Sequence, residues 1–305
     1  VATDSRPSRE TDSAVMTSSR VRSRERRATA TTADTSPKAT RSQAPSTWPS
    51  LGVVASYARP GEGQTGHVPR STERPPAPIL FAHRGGRAHS PENSLQAFET
   101  AIRLGATGLE SDVWCTADGI PVLHHDRRVG SAWRRRPIDS LARDRIPDDV
   151  PTLEDLYRLV GGGVPLSLDI RDPAVTPAVL EVARRHEGTR SLWLCHPDRS
   201  VLADIRETDR DVILVHSTRI ERIDEGPERM AADLSGMAIH AVNLPEQDWS
   251  AGLVALFRRF GLRCLAWDAQ HPRQIDRLLA LGLDGIYGDH VDRLVDGLAR
   301  RRATN

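Results

Sequence analysis

Lysine is almost missing from this chain of 305 residues: Lys38 stands alone among 42 basic side chains, and the rest are arginine. With 41 acidic residues the net charge is only +1, which excludes the strong global field of a nucleic-acid-binding protein. We read the arginine excess as a compositional bias rather than a binding signature. Cysteine is scarce as well. Cys115, Cys195 and Cys264 are odd in number and lack C-x-x-C or zinc-type spacing, so neither a disulfide framework nor a zinc site is expected. Cys195 and Cys264 fall in apolar runs and read as small buried hydrophobes. A reducing compartment, the cytoplasm, fits that usage. No apolar stretch approaches the roughly 18 residues of a membrane span, so no transmembrane segment is expected.

Hydrophobic residues make up 38% of the chain and mean hydropathy is −0.45, low for one compact globule of this length. The deficit sits at the front. Residues 1–75 are rich in Ser, Thr, Arg, Ala and Pro, with no sustained period, and are expected to be a disordered tail. Their one apolar island, Leu51–Ala55, is too short for a signal segment. The composition is close to that of a transit peptide, but interspersed Asp and Glu depart from one.

From about residue 76 to 305 a single domain is expected, built on strand–helix alternation. The strands are read at Ile79–His83, Gly108–Val113, Val164–Ile170, Leu192–Cys195, Val212–His216, Ala238–Asn243, Arg263–Trp267 and Gly285–Tyr287. Helical patterns lie between most of them, and Gly105, Gly188, Gly261 and Gly282 are placed as C-caps. Eight strands with helical crossovers in about 225 residues is the arithmetic of an α/β (β/α)8 TIM barrel. A doubly wound open sheet is the competing topology. One connection departs from the pattern: Asp118-Gly119 is a hairpin signal, so Ile120–Asp126 should double back beside the second barrel strand as a small insertion. The polar stretch Arg127–Val150 then leads to a capping-box helix start at Thr152.

Chemistry-bearing residues gather at strand ends. His83 and Arg84 put a proton-transfer group beside an anion-binding group on the Gly-softened loop after the first strand. Glu110 and Asp112, two apart on a strand, face the same side. Their repulsion asks for a positive partner, either a divalent cation or one of the many arginines. Asp169 is a charge in an otherwise apolar strand. Three carboxylates with oxygen-only ligands favour Mg2+ or Ca2+ over zinc. The hairpin brings His125 and Asp126 toward Glu110 and Asp112. His124, His216, His240 and His89 are read as structural or solvent-facing, and His196 as either pocket wall or cap.

The ordered set His83-Arg84-Gly85, Pro91-Glu92-Asn93, Glu110-x-Asp112, Pro121-Val122-x-x-His125-Asp126 and Pro151-Thr152-Leu153 resembles the glycerophosphodiester phosphodiesterase family. Ser167–Arg171, Trp267 and Gly285–Asp289 extend the resemblance, which covers about residues 79–298. It implies a metal-dependent barrel that hydrolyses small glycerophosphodiesters to glycerol phosphate and an alcohol. By position it implies His83 and His125 as the acid–base pair, and Glu110, Asp112 and Asp169 as ligands of a divalent cation, Mg2+ or Ca2+. Arg84, Arg171 and Trp267 would contact substrate.

Three positions depart from the family's usual pattern, with Asp169 for Glu, Arg171 for Lys and Asp268 for Thr. An aspartate as third ligand also occurs in the related sphingomyelinase D type of phospholipase, which acts on lysophospholipids. That activity is one alternative, and a non-catalytic headgroup-binding barrel is another.

Overall fold

The computed structural model describes residues 77–304 apart from Ala132, so the tail read as disordered lies outside the described residues. The first strand, β1 (Ile79–Ala82), is buried on both faces, which is why it reads as a continuous apolar run. It is followed by α1 (Leu95–Leu104), whose first turn is capped by the Ser94 hydroxyl accepting from the Ala97 N–H at 3.1 Å. Next come β2 (Gly108–Cys115) and β3 (Pro121–Leu123), joined through Asp118-Gly119 as an antiparallel hairpin that pairs Val113 with Leu123. Two short strands, β4 (Arg128–Val129) and β5 (Arg136–Pro137), form a second hairpin.

The alternation then resumes with α2 (Leu153–Val160), β6 (Leu166–Ile170), α3 (Thr176–Arg185), β7 (Leu192–His196) and α4 (Arg199–Thr208). It ends with β8 (Ile213–Ser217), α5 (Pro227–Gly236), β9 (Ala241–Pro245), α6 (Ala251–Arg259), β10 (Arg263–Trp267), α7 (Pro272–Leu281), β11 (Gly285–Gly288) and α8 (Val291–Thr304). The capping box at α2 forms as expected, with Thr152 and Asp155 exchanging bonds at 3.0 Å.

Strand pairing settles the topology. β1, β2, β6, β7, β8, β9, β10 and β11 are neighbours in that order, all parallel, and β11 pairs back onto β1. The sheet is therefore a closed eight-stranded barrel, and the open doubly wound alternative is excluded. β3 hangs on β2 outside the ring.

Inside the barrel a floor of Ile79, Phe81, Trp193, Ile213, Val215, Leu265 and Tyr287 is fully buried. Phe81 stacks on Tyr287 with centroids 4.5 Å apart and meets Trp193 edge-on at 5.7 Å. That aromatic floor fits only because β2 and β11 offer glycine beside it. A Cβ on Gly108 would lie 2.7 Å from Phe81, and one on Gly285 2.8 Å from Leu265. The larger apolar layer lies outside the ring, between strands and helices.

Three expectations need correction. Gly188 does not cap α3; the helix ends at His186, and Glu187 takes the left-handed turn with φ 56°. The strand read from Ala238 begins at Ala241, because Ala238 closes the end of α5 with φ 54°. The stretch Arg127–Val150 is more than a polar connection: Val129, Ile138, Leu141, Ile146 and Val150 bury against Val122 as a satellite core under Trp114. Its apolar residues are spread one at a time among charges, so no period shows.

The barrel floor predicts how glycine replacements rank. Gly108→Ala should cost about 1–3 kcal/mol through overpacking. Gly163→Ala, with nothing within 4 Å of its Cβ, should stay within about 0.5 kcal/mol of wild type. Urea denaturation of both variants measures the difference.

Candidate active site

The loop after β1 is built to hold one backbone N–H in place. Arg84, Gly85 and Gly86 take φ of 50°, 79° and 76° in succession, a left-handed run that only glycine adopts freely. Side chains at the two glycines would collide, at 2.8 Å from Ala97 and 2.8 Å from Val291 respectively. Arg84 carries a Cβ through the same region, a cost offset by its N–H donating to Glu110 Oε2 at 2.8 Å. The Pro91-Glu92-Asn93 segment braces this turn. The Asn93 N–H donates to the Arg84 carbonyl at 2.9 Å, and its side-chain oxygen accepts from Ser111, between the two acids of β2, at 2.7 Å.

Glu110 and Asp112 both face the barrel mouth, and Asp112 is in register with Asp169 on β6. One oxygen from each of the three lies within 4.8 Å of the others. Burial pushes the Glu110 carboxyl up to about 8; His83 pulls it down, while Asp112 and Asp169 push it further. Asp169 is raised to about 6, by burial first and then by Asp112. The cluster is thus short of positive charge.

Part of that charge comes from arginine. Arg171 grips Asp112 Oδ1 through Nε at 2.7 Å and again through Nη2, and Arg84 Nε lies 3.4 Å from Asp112 Oδ2. Both readings of the acids, cation ligands or arginine partners, therefore meet at Asp112. The set still fits a hard divalent cation. All donors are carboxylate oxygens, and Asp112 Oδ2 is buried with no hydrogen-bond partner.

The two histidines are held alike. His83 Nδ1 bonds Asp289 Oδ1 at 2.6 Å, and its Nε2 faces the acids, 3.8 Å from Glu110. Burial works against its protonation, but Glu110 and Asp289 outweigh it and raise the imidazole above its ordinary value. Asp289 resists the effect of its own burial: bonds from His83 and from Arg87 Nε, the latter at 2.8 Å, hold its carboxyl at about 2. His125 Nδ1 bonds Asp126 Oδ1 at 2.9 Å, and Arg135 fixes the other oxygen of Asp126 at 2.7 Å. The hairpin is tied to β2 by the His124 N–H donating to the Asp112 carbonyl at 3.0 Å. His125 stands half-exposed just beyond it, with its own ring bonded to Asp126 rather than to the acids.

Trp267 ends β10 half-buried, with the Arg219 guanidinium 4.6 Å over its ring. The orienting roles of Asp289 and Asp126, and the placement of Arg87 and Arg219, were missed in the sequence. The two acids lay inside quoted motifs, but nothing in a linear pattern says which histidine an acid 206 positions away will meet. His196 is turned onto the start of α4, its Nδ1 accepting from the N–H of Asp198 at 3.0 Å, and Asp198 itself caps that helix. His216 is buried with its imidazole lowered to about 4 by burial, with Arg199 adding to the effect, and stays neutral.

A match to the family model described as "Glycerophosphoryl diester phosphodiesterase family" spans residues 83–293, from the first histidine of this site to past Asp289. The chain belongs to that family. It is similar to the glycerophosphodiester phosphodiesterase of Caldanaerobacter subterraneus subsp. tengcongensis, with 22% identity over 245 residues, 72% of this chain and 96% of that protein. In fold it is similar to the crystal structure of a Thermotoga maritima glycerophosphodiester phosphodiesterase, with TM-score 0.64, 22% identity and coverage of 72% and 98%. It is likewise similar to an Oleispira antarctica phosphodiesterase solved with the product sn-glycerol-3-phosphate, with TM-score 0.65, 18% identity and coverage of 73% and 97%.

Membership makes the chain a phosphoric diester hydrolase on a TIM barrel. The family generally uses a divalent cation, and the acid cluster is a place that could hold one. Among the described residues, no helix is long and apolar enough to cross a membrane.

The raised carboxyls set a pH slope with a definite sign. Between the ordinary Glu110 value of 4.5 and about 8, the folded chain keeps a proton that the unfolded chain has released. Cation-free protein should therefore lose stability as pH rises from 5 to 8. Thermal melts in EDTA should show this fall, and Glu110→Gln should flatten it.

Proposed function

We propose that the chain hydrolyses glycerophosphodiesters to glycerol phosphate and an alcohol. Catalysis is by His83 and His125 beside a divalent cation, Mg2+ or Ca2+, held by Glu110, Asp112 and Asp169. The observation that carries the reading is the pairing of a three-carboxylate cluster, with Glu110 and Asp112 buried and Asp169 half-buried, with two histidines at one end of the barrel. Both rings have Nδ1 engaged by an aspartate, so both keep Nε2 for proton exchange.

A phosphodiester is already anionic, and attack on it builds further charge. A divalent cation held by Glu110, Asp112 and Asp169 would supply positive charge against that build-up. Arg84 and Arg171, now turned on Asp112, are the guanidiniums within reach to hold the remaining phosphate oxygens. One histidine takes the proton from the attacking hydroxyl, of water or of the neighbouring glycerol carbon. The other gives a proton to the departing alkoxide. Asp289 and Asp126 fix the tautomer in which Nδ1 carries its proton. Trp267 supplies an apolar wall for the glycerol carbons.

Asp169 is one methylene shorter than the glutamate usual in the family, and from β6 it would supply one carboxylate oxygen to the cation. Arg171 in place of lysine adds a planar two-point grip on phosphate.

The deciding experiment is hydrolysis of a panel of glycerophosphodiesters and lysophospholipids, with EDTA and metal add-back. Turnover should vanish in EDTA and return with Mg2+ or Ca2+. His83→Ala and His125→Ala should each lower kcat by about 10²–10⁴-fold. Metal-independent turnover, or full activity in His125→Ala, would overturn the mechanism. Turnover of lysophospholipids alone would assign the phospholipase activity instead.

Asp289→Asn should lower kcat by roughly 10–100-fold. It should also move the limb of the pH–rate profile that reports His83 to lower pH, because the bond that raises that imidazole is gone.

A further inference from the structure

The hairpin β4–β5 carries a feature that hydrolysis does not use. Trp133 at its tip is 96% exposed, whereas no other large hydrophobic among the described residues exceeds 38%. The segment from Arg127 to Arg136 holds five arginines and no acid, in a chain whose net charge is +1. All five are solvent-exposed. Among the described residues only two of them, Arg127 with Asp139 and Arg135 with Asp126, form an ion pair, which leaves the charges of Arg128, Arg134 and Arg136 without an acidic partner.

Hydrogen bonds tie together the described residues on either side of the tip. Gly130 turns the chain with φ 107°, the Arg134 N–H donates to the Ser131 carbonyl at 2.8 Å, and Arg128 reaches across to the Arg135 carbonyl at 2.8 Å. Beneath it Val129 and Ile138 are buried in the satellite core. The tryptophan stays outside while its own hairpin contributes to an apolar cluster. Burying an indole gains free energy, so its exposure asks for a partner that covers it.

We propose that this tip docks the barrel mouth onto an anionic phospholipid surface. Tryptophan favours the interfacial zone of a bilayer, where its ring lies among the glycerol and upper acyl carbons and its N–H stays wet. Arginines beside it meet the negative headgroups. A lone aromatic offers no succession of stacking faces for bases, which disfavours single-stranded nucleic acid as the partner.

The root of the hairpin explains what docking is for. Arg135 holds Asp126, and Asp126 holds His125, so the docked element is two contacts from the proposed acid–base pair. A surface seated on Trp133 therefore places the mouth beside phospholipid headgroups, whose deacylated forms are the glycerophosphodiesters of the proposed function. This last step rests on the proposed function, but the docking does not.

The test is vesicle co-sedimentation of the full chain, with vesicles of phosphatidylcholine alone and of phosphatidylcholine with 30% phosphatidylglycerol, compared for wild type, Trp133→Ala and the double variant Arg134→Gln/Arg136→Gln. Wild type should bind the anionic vesicles and not the neutral ones. Each variant should lose at least about fivefold in partitioning, the worth of one basic contact. Arg302→Gln, an exposed arginine on α8, should bind like wild type. The arginines before residue 77 are unchanged in every protein, so the loss reads the tip alone.

Wild-type-like binding by both tip variants, or equal binding to neutral and anionic vesicles, would overturn the proposal. So would binding of a single-stranded oligonucleotide with no vesicle binding. Turnover of a soluble glycerophosphodiester, read in parallel, should be unchanged in the variants. Its absence from wild type would defeat the proposed function while leaving the vesicle result to stand or fall by itself.

Discussion

Three carboxylates forced together, two of them buried, are the constraint on which the mouth of this barrel depends. Glu110, Asp112 and Asp169 sit on adjacent parallel strands whose register cannot shift without turning their side chains away from the mouth. Burial first, and then mutual repulsion, raise Glu110 and Asp169, and the neighbourhood is arranged around that excess of negative potential. Arg171 and Arg84 lean on Asp112, the Arg84 N–H turns onto Glu110, and His83 faces the same acids with a raised affinity for protons. A cation bound there would take over a role that arginines and protons only partly fill.

The rest of the barrel holds that arrangement still. The aromatic floor of Phe81, Trp193 and Tyr287 closes the interior below the acids, with Ser167 and Cys195 bonding to each other and Ser167 to Tyr287 just beneath Asp169. The strained turn at Arg84–Gly86 is braced from β2 through Asn93 and Ser111. Two aspartates far apart in the sequence, Asp126 and Asp289, then fix the histidines, each stabilised by an arginine of its own. Electrostatic demand at the centre is met by successive layers of hydrogen bonds, which is how a site of this kind keeps its geometry before substrate arrives.

The insertion between β2 and α2 departs from the regular alternation and carries the least regular chemistry. It delivers His125 to the mouth, buries a small core of its own, and exposes Trp133. An element outside the barrel can add a surface without disturbing the packing that fixes the acids, which is why loops on a rigid scaffold are where binding properties change.

Strand positions, helix positions and the chemical type of the site were legible in the sequence because they rest on local rules. Buried parallel strands need unbroken apolar runs, hydroxyl and glycine caps mark helix ends, and Glu110-x-Asp112 fixes two acids on one face by alternation alone. Local rules also misplaced things. They put a cap at Gly188 where Glu187 makes the turn, and they left Arg127–Val150 without a core, because isolated apolar residues among charges carry no period.

Closure of the sheet, the meeting of His83 with Asp289, the grip of Arg171 on Asp112 and the lone exposure of Trp133 were decided only by the tertiary structure. Each depends on a distance between residues far apart in the chain, or on the absence of a neighbour. Sequence spacing encodes side-chain direction along one element. It does not encode which elements close around a common axis and so which charges must share it.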